Sequence, residues 1–260
     1  YVGRSNKSFF KYNFINYNQI NKIKKKEYSH LIHCAHASTN RKNLTEADRF
    51  KSSINTTIKL LKLCKKKNID KFIYISSGIV YHDLNGKNDI NDRISRANSE
   101  KNYKNSKIIC EKLVKNFCKN NQINYTILRC FSFCGKLQKN KRYAIPNLIG
   151  QFKKKNQPKI FIDGTGKDIR SFMHQKDLAR SILRVIKSKK KNTFYNVGST
   201  ERISIKDLAK KIKKIMKSRK KIIILKNKKN ITKYAPKKNL TSDLWDNKFI
   251  KLDQALKEII

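Results

Sequence analysis

Three residues of the sequence could carry out a proton transfer together: Ser77, Tyr103 and Lys107. Tyr103 and Lys107 are four residues apart, so on a helix they share a face. A tyrosine has an ordinary pKa of about 10, too high for a base at neutral pH. A neighbouring lysine cation favours the phenolate and lowers that pKa. The spacing therefore predicts Tyr103 as a proton acceptor, with Ser77 orienting a substrate hydroxyl.

The elements that must position these residues are a strand and a helix. Residues 71–75 form an apolar, β-prone run that ends in Ser76, Ser77 and Gly78, and residues 103–118 have a helical pattern. Ligands of open α/β sheets bind at the carboxyl ends of the strands. The pattern thus predicts a hydroxyl, a phenol and an ammonium around one ligand. The simpler alternative is an exposed helical tyrosine beside a solvated lysine, because this pair arises often by chance in a lysine-rich chain.

Strands and helices alternate along the sequence. Strand patterns lie at residues 1–4, 11–15, 31–35, 72–77 and 125–129, and helical patterns at 17–26, 45–66 and 103–118. This alternation predicts an α/β fold, a Rossmann-like doubly wound parallel sheet. After Gly135 the character of the sequence changes, and we expect a smaller C-terminal α+β lobe.

The net charge of the 260-residue chain is +45, which raises the question of nucleic-acid binding. The lysines, however, are spread along the whole chain and occupy the polar positions of helical patterns. Lysine also far outnumbers arginine, the usual base-reading residue. The charge is therefore interpreted as biased composition without a specific nucleic-acid partner, although it could assist the capture of a diphosphate-bearing substrate.

The cysteines, histidines and hydropathy indicate the redox compartment, and they argue against membrane insertion and metal binding. The six cysteines lie mostly in apolar patterns, which favours reduced thiols and a cytoplasmic protein. No apolar run reaches about 18 residues, so no membrane insertion is predicted. His30, His33 and His36 are three residues apart, and on a strand such residues point to opposite faces. They are not expected to bind a metal.

Several of these features resemble a known family. Residues 74–81 read YISSGIVY, Tyr103 and Lys107 form a Tyr-x-x-x-Lys pair, and Glu111 follows one turn later. This combination resembles the extended short-chain dehydrogenase/reductase superfamily, and within it the NAD-dependent epimerase/dehydratases. The resemblance implies that Tyr103 moves a sugar hydroxyl proton, that Lys107 lowers the tyrosine pKa and holds the nicotinamide ribose, and that Ser77 hydrogen-bonds the sugar hydroxyl.

The resemblance also implies two domains and a cofactor. Residues 1–136 would bind the dinucleotide, residues 137–260 would form the substrate-binding lobe, and residues 171–198 would pack back on the first domain. The cofactor would be NAD or NADP. The residues expected to line it are Asn13, Phe14, Cys34, Ala35, His36, Ser76, Tyr103, Lys107 and Cys130.

The implied substrate is a nucleotide-diphosphate sugar. Arg170 stands in a segment that resembles the family's arginine grip on the diphosphate, and a fork of guanidinium donors matches phosphate oxygens. Ser132 is the second expected substrate contact, in a segment that resembles the one running past the nicotinamide. There Ser132 replaces the usual asparagine and Cys134 the usual tyrosine.

One part of the family pattern is missing. The glycine-rich turn that places a pyrophosphate at a helix N-terminus is absent, and only Gly3 precedes Gly78. We therefore expect the first strand and helix of the sheet to be missing and the chain to be a fragment of a gene product. Such a fragment is expected to be aggregation-prone and to bind NAD or NADP poorly or not at all.

The reaction itself is left open among related types. Dehydratases of the family carry an Asp-Glu pair after the serine or threonine, where this sequence has Gly78 and Ile79. That favours an epimerase, with a 4-ketoreductase or a dehydratase as alternatives, in polysaccharide sugar biosynthesis such as that of lipopolysaccharide. A non-catalytic NAD(P)- or RNA-binding member of the fold is the alternative of another class. A homodimer is left open as the assembly.

Overall fold

The computed structural model describes residues 28–34, 44–84, 87–89, 91–98, 100, 102–226, 231–237 and 249–260. Its strands are β1 (His30–His33), β2 (Lys71–Ser77), β3 (Asn124–Cys130), β4 (Phe133–Cys134), β5 (Lys159–Ile162), β6 (Ile169–Ser171), β7 (Met173–His174), β8 (Thr193–Val197), β9 (Arg202–Ser204), β10 (Lys221–Ile224) and β11 (Lys233–Tyr234). Its helices are α1 (Glu46–Lys66), α2 (Tyr103–Asn120), α3 (Ala144–Lys153), α4 (Gln175–Lys187), α5 (Ile205–Ile215) and α6 (Leu252–Ile259).

The central sheet consists of parallel strands in the order β1-β2-β3-β8. Strand β2 has both faces covered, and its side chains alternate between them with period two. Phe72 and Tyr74 join the core cluster on one face, whereas Ile73 joins the cluster on the other. The parallel α/β prediction is confirmed. The strands and the helix predicted within residues 1–27 lie outside the described residues.

Helices cover both faces of this sheet. Leu61 and Cys64 of α1 and Val114 of α2 pack in the cluster on the Phe72 face. Leu178 and Ile182 of α4 pack on the opposite face. This arrangement is doubly wound, as the alternation of apolar patterns predicted.

The register places the ends of neighbouring strands together. Ser77 at the end of β2 pairs with Cys130 at the end of β3, and Cys130 pairs with Val197 of β8. The β2 carboxyl end then turns through a short 3-10 segment, residues 78–80. The sheet therefore gathers the ends of β2, β3 and β8 at one edge, where ligands of such sheets bind.

The second half of the chain forms a separate apolar cluster and returns to the sheet. Helices α3, α5 and α6 pack around the strand pair β5–β10, while β11, β6 and β9 form a small mixed sheet. Between these elements α4 and β8 rejoin the central sheet. The domain boundary at residue 136 stays a prediction.

Within the described residues, no helix is both long and apolar enough to cross a membrane.

Candidate active site

The catalytic helix begins at the residue that the sequence singled out. Asn102 caps α2 by accepting a hydrogen bond from the Asn105 backbone N–H at 2.9 Å, and Tyr103 is the first helical residue. Lys107 follows one turn later on the same face. The cap thus fixes where the helix starts and, with it, the relative placement of the phenol and the ammonium.

Ser77 meets Tyr103 at the end of β2. A hydrogen bond joins the Ser77 hydroxyl and the Tyr103 phenol. The Ser77 hydroxyl also accepts a hydrogen bond from the Ile79 backbone N–H at 3.3 Å and lies 2.9 Å from the Tyr234 hydroxyl. The structure thus brings together the serine and tyrosine predicted from the sequence.

Lys107 lies beside this pair on the sheet side. Its Nζ donates a hydrogen bond to the Ile75 carbonyl at 2.8 Å. The same atom is 4.9 Å from the ring centroid of Tyr74 and 5.8 Å from that of Tyr103. Burial lowers the pKa of the Lys107 ammonium. All three predicted catalytic residues therefore surround the end of β2.

The direction predicted for the tyrosine pKa is wrong for this structure. Tyr103 keeps 42% of its surface exposed, yet desolvation of its phenol raises the pKa to about 12. The charge of Lys107 is not among the causes of this shift. The Tyr103 phenol is therefore protonated at neutral pH in the chain alone.

A buried polar network anchors α2 to the sheet. Arg129 Nη2 of β3 donates to Glu111 Oε2 at 3.0 Å, and the Ser76 hydroxyl donates to Glu111 Oε1 at 2.6 Å. Arg129 Nη1 also donates to the Tyr81 hydroxyl, which donates in turn to Asn196 Oδ1 at 2.6 Å. The sequence showed Glu111 one turn after Lys107, but no sequence signal connected it to Arg129.

The predicted cofactor residues are only partly described. Cys34 follows β1 and is exposed, and Cys130 ends β3; the charge of Lys107 acts on both thiols. Burial raises the pKa of Cys130 to about 12. The hydroxyl of Ser76 is directed to Glu111. The remaining predicted contacts lie outside the described residues: Asn13, Phe14, Ala35 and His36.

The structure describes two of the three histidines that were not expected to bind a metal, and each lies near a protein hydroxyl. His33 Nε2 lies 2.9 Å from the Thr57 hydroxyl of α1, and His30 Nδ1 lies 2.8 Å from the Ser29 hydroxyl. Among the described residues, no group of three or more histidine, cysteine and acidic side chains is arranged to hold a metal.

Arg170, the predicted diphosphate contact, borders this site through Tyr234. The two residues are paired across β6 and β11, and the charge of Arg170 acts to lower the pKa of Tyr234. Arg170 donates to the Thr232 carbonyl at 3.0 Å and to the Thr232 hydroxyl at 2.7 Å. Ser132 lies half-buried between β3 and β4, and its carbonyl accepts a hydrogen bond from the Met173 N–H.

Two tyrosines of the site were not predicted. Tyr234 contacts Ser77 directly, and the phenol of Tyr143, just before α3, acts on the pKa of Tyr103. Tyr143 opens an apolar helical pattern and Tyr234 precedes Ala235 and Pro236, so neither position carried a local signal of chemistry.

Most of this chain matches a known protein family. The model of the NAD dependent epimerase/dehydratase family matches residues 2–198. The chain belongs to this family. A relative in it, the dTDP-D-glucose 4,6-dehydratase of Dictyostelium discoideum, is 28% identical over 210 residues, 76% of this chain and 48% of the relative. The chain spans about half the length of the curated family members it matches.

Solved structures share the family fold. A UDP-N-acetylglucosamine 4-epimerase from Methanobrevibacter ruminantium M1, in complex with UDP-N-acetylmuramic acid, has a TM-score of 0.77 and 24% identity over 92% of this chain and 77% of that chain. RMD from Pseudomonas aeruginosa, complexed with NADPH, has a TM-score of 0.79 and 19% identity over 94% of this chain and 84% of that chain. At these identities the likeness concerns the fold.

Proposed function

We propose that the protein is an NAD(P)-dependent enzyme that acts on a nucleotide-diphosphate sugar, as an epimerase or a ketosugar reductase. Tyr103 exchanges a proton with a sugar hydroxyl while a hydride moves at the same carbon. The observation that carries the proposal is the meeting of Ser77, Tyr103 and Lys107 at the carboxyl end of β2. Family membership supports the same class of chemistry.

The residues around Lys107 fit the nicotinamide and ribose part of a dinucleotide. An ammonium has three protons, and within the described residues the protein hydrogen bond of Lys107 is the one to the Ile75 carbonyl. Donors therefore remain for ribose hydroxyls. Cys34 and Cys130 lie near this ammonium and would border the ring. When bound, NAD(P) supplies the hydride or accepts it, and its oxidised ring adds a positive charge that favours the Tyr103 phenolate.

The protonation state of Tyr103 decides whether it can donate a proton to the substrate or accept one from it. With a pKa of about 12 the phenol is protonated at neutral pH, so it can donate a proton to the oxygen of a ketosugar as that carbon is reduced. The reverse step needs the phenolate. The chain alone therefore suits ketosugar reduction, which is also the second half of an epimerisation through a keto intermediate.

Dehydration is the disfavoured alternative. The position after Ser77 is Gly78, and a Cβ there would lie 2.5 Å from Cζ of Phe131. No acidic side chain can occupy that place without moving the Phe131 ring. Since Ile79 follows, this turn offers no acid/base group for eliminating water. The assignment to polysaccharide sugar biosynthesis stays a prediction.

The test is turnover by the purified protein. NADPH or NADH consumption at 340 nm would be followed with nucleotide-diphosphate ketosugars, and epimers of UDP-sugars would be separated by chromatography. We expect Tyr103→Phe to reduce kcat by about 10²–10⁴-fold, the usual contribution of a positioned acid or base. Tyr195→Phe, which removes a buried hydroxyl of β8, is the matched control. Full activity of Tyr103→Phe, or no turnover by the unaltered protein at a saturating concentration of NAD(P)H, would overturn the proposal.

A further inference from the structure

Tyr234 reaches into the catalytic site from the second half of the chain. Its hydroxyl donates to the Cys130 carbonyl at 3.1 Å and lies 2.9 Å from the Ser77 hydroxyl. A phenol has a single proton, and a carbonyl has none to give. If Tyr234 donated to Ser77 instead, its oxygen would face the carbonyl oxygen at 3.1 Å with no proton between them. The proton of the Ser77 hydroxyl is therefore the one that joins Ser77 to Tyr234.

This assignment gives the hydrogen bonds at the site a direction. Ser77 donates to Tyr234, and Tyr234 donates to the Cys130 carbonyl, which has no proton to pass on. The Ser77 oxygen accepts from the Ile79 N–H and keeps a lone pair for the phenol of Tyr103. A hydrogen bond that stabilises the phenolate of Tyr103 needs the opposite arrangement, in which Ser77 donates to Tyr103.

The position of Tyr234 is held by its neighbours. Its ring lies 4.8 Å from the Phe131 ring, centroid to centroid. Ala235 and Pro236 behind it are buried, and the Asn88 N–H donates to the Ala235 carbonyl at 3.1 Å. Burial raises the pKa of Tyr234, so its phenol stays protonated. The hydroxyl is thus placed by packing that would survive its removal.

We propose that Tyr234 is a positioning residue that takes the Ser77 proton and so keeps Tyr103 in its acid form. Ser77 then accepts a hydrogen bond from Tyr103 and holds it in place. Ser77 does not relay protons, because the series of hydrogen bonds that starts at its hydroxyl ends at a carbonyl. This inference rests on the proposed function for its catalytic meaning. The hydrogen-bond direction itself stands without it.

The decisive experiment titrates Tyr103 in the protein without substrate. Tyrosines carrying ¹³C at the ring ζ carbon would be followed by NMR against pH, with the Tyr103 signal assigned from Tyr103→Phe. Tyr234→Phe frees the Ser77 proton to stabilise the phenolate, so we expect the pKa of Tyr103 to fall. Tyr195→Phe, which removes another buried hydroxyl, should leave the pKa of Tyr103 unchanged.

A double-mutant cycle shows whether the effect passes through Ser77. In a Ser77→Ala background, Tyr234→Phe should no longer move the pKa of Tyr103. An unchanged pKa in Tyr234→Phe alone, or an equal shift with and without Ser77, would overturn the proposal. Because no turnover is measured, this result does not depend on whether the protein acts on nucleotide sugars.

Kinetics add a second readout where turnover is found. The loss of one neutral hydrogen bond corresponds to a rate change of up to about 10-fold. We expect Tyr234→Phe to lower kcat by up to about 10-fold with little change in KM. In the profile of kcat against pH, the change that reports the titration of Tyr103 should move to lower pH. A lower KM with unchanged kcat would mean that the hydroxyl merely occupies substrate space, and would also overturn the proposal.

Discussion

Glu111 and Arg129 form an ion pair across the contact between α2 and β3, with Arg129 Nη2 3.0 Å from Glu111 Oε2. Only 4% of the Arg129 side chain and 6% of the Glu111 side chain are exposed. The pair lies one helical turn beyond Lys107. It ties the catalytic helix to the strand that ends at Cys130. The spacing between the end of the sheet and the Tyr103–Lys107 face of α2 therefore depends on this contact.

Breaking this pair should destabilise the fold. Removing one partner of a buried ion pair leaves an uncompensated charge and costs about 3–5 kcal/mol. We expect Arg129→Met to lower the free energy of unfolding in denaturant by that amount. The control is Lys210→Met, which removes the exposed partner of Asp207 and should cost about 0–1 kcal/mol. Similar losses in both variants would contradict the structural role of the Glu111–Arg129 pair.

Much of this fold was predictable because its elements have strong local periodicity. Helix α1 was predicted at residues 45–66 and spans Glu46–Lys66, and the strand predicted at 72–77 spans Lys71–Ser77. A buried parallel strand is an almost continuous apolar run, and an amphipathic helix repeats every three or four residues. Both signals are contained in short windows of sequence.

The contacts that complete the site were not predictable in this way. Tyr234 is 157 residues from Ser77, and tertiary packing alone brings their hydroxyls together. Lys71, an ordinary lysine in sequence, donates from β2 to the carbonyls of Val185, Ser188 and Lys190 at the end of α4. The pKa of Tyr103 was misjudged for the same reason, since desolvation depends on which distant segments cover a group.

The turn after Ser77 should tolerate no side chain. A Cβ on Gly78 would lie 2.5–2.8 Å from three ring atoms of Phe131, which packs against Tyr234. We expect Gly78→Ala to cost about 1–3 kcal/mol through overpacking, measured by denaturant unfolding. Gly150→Ala in α3 is the matched control, because its nearest contact would be 3.5 Å from Lys141 Cε. That variant should gain about 0.5–1 kcal/mol from the lower entropy of its unfolded chain. Equal effects would exclude crowding at Gly78.

Tyr103 should make stability depend on pH in the alkaline range. Its pKa is about 12 in the folded chain, against about 10 in an unfolded one. Between these values the folded chain keeps a proton that the unfolded chain has lost. Stability is then fully present below about pH 10 and falls as pH rises toward 12. We expect the free energy of unfolding to fall more steeply there in the unaltered protein than in Tyr103→Phe, and parallel curves would refute the raised pKa.

Arg170 could either bind a diphosphate or merely hold the segment that carries Tyr234. The guanidinium has five donors, and those given to Ile169 and Thr232 use Nη1 and Nη2. Donors therefore remain for phosphate oxygens. We expect Arg170→Met to weaken UDP binding in calorimetry by about 10–100-fold, the value of hydrogen bonds to a charged group, while NAD(P) binding changes little.

Thr232→Val separates the two roles of Arg170. It removes the hydroxyl that accepts from Nη2 but keeps the backbone carbonyl that accepts from Nη1. If Arg170 binds the diphosphate, this variant keeps UDP affinity close to that of the unaltered protein, because the guanidinium and its charge remain. If Arg170 acts only by holding the segment that carries Tyr234, both Thr232→Val and Arg170→Met weaken the binding of UDP and of NAD(P). The pattern of the four affinities therefore decides between a ligand contact and a structural one.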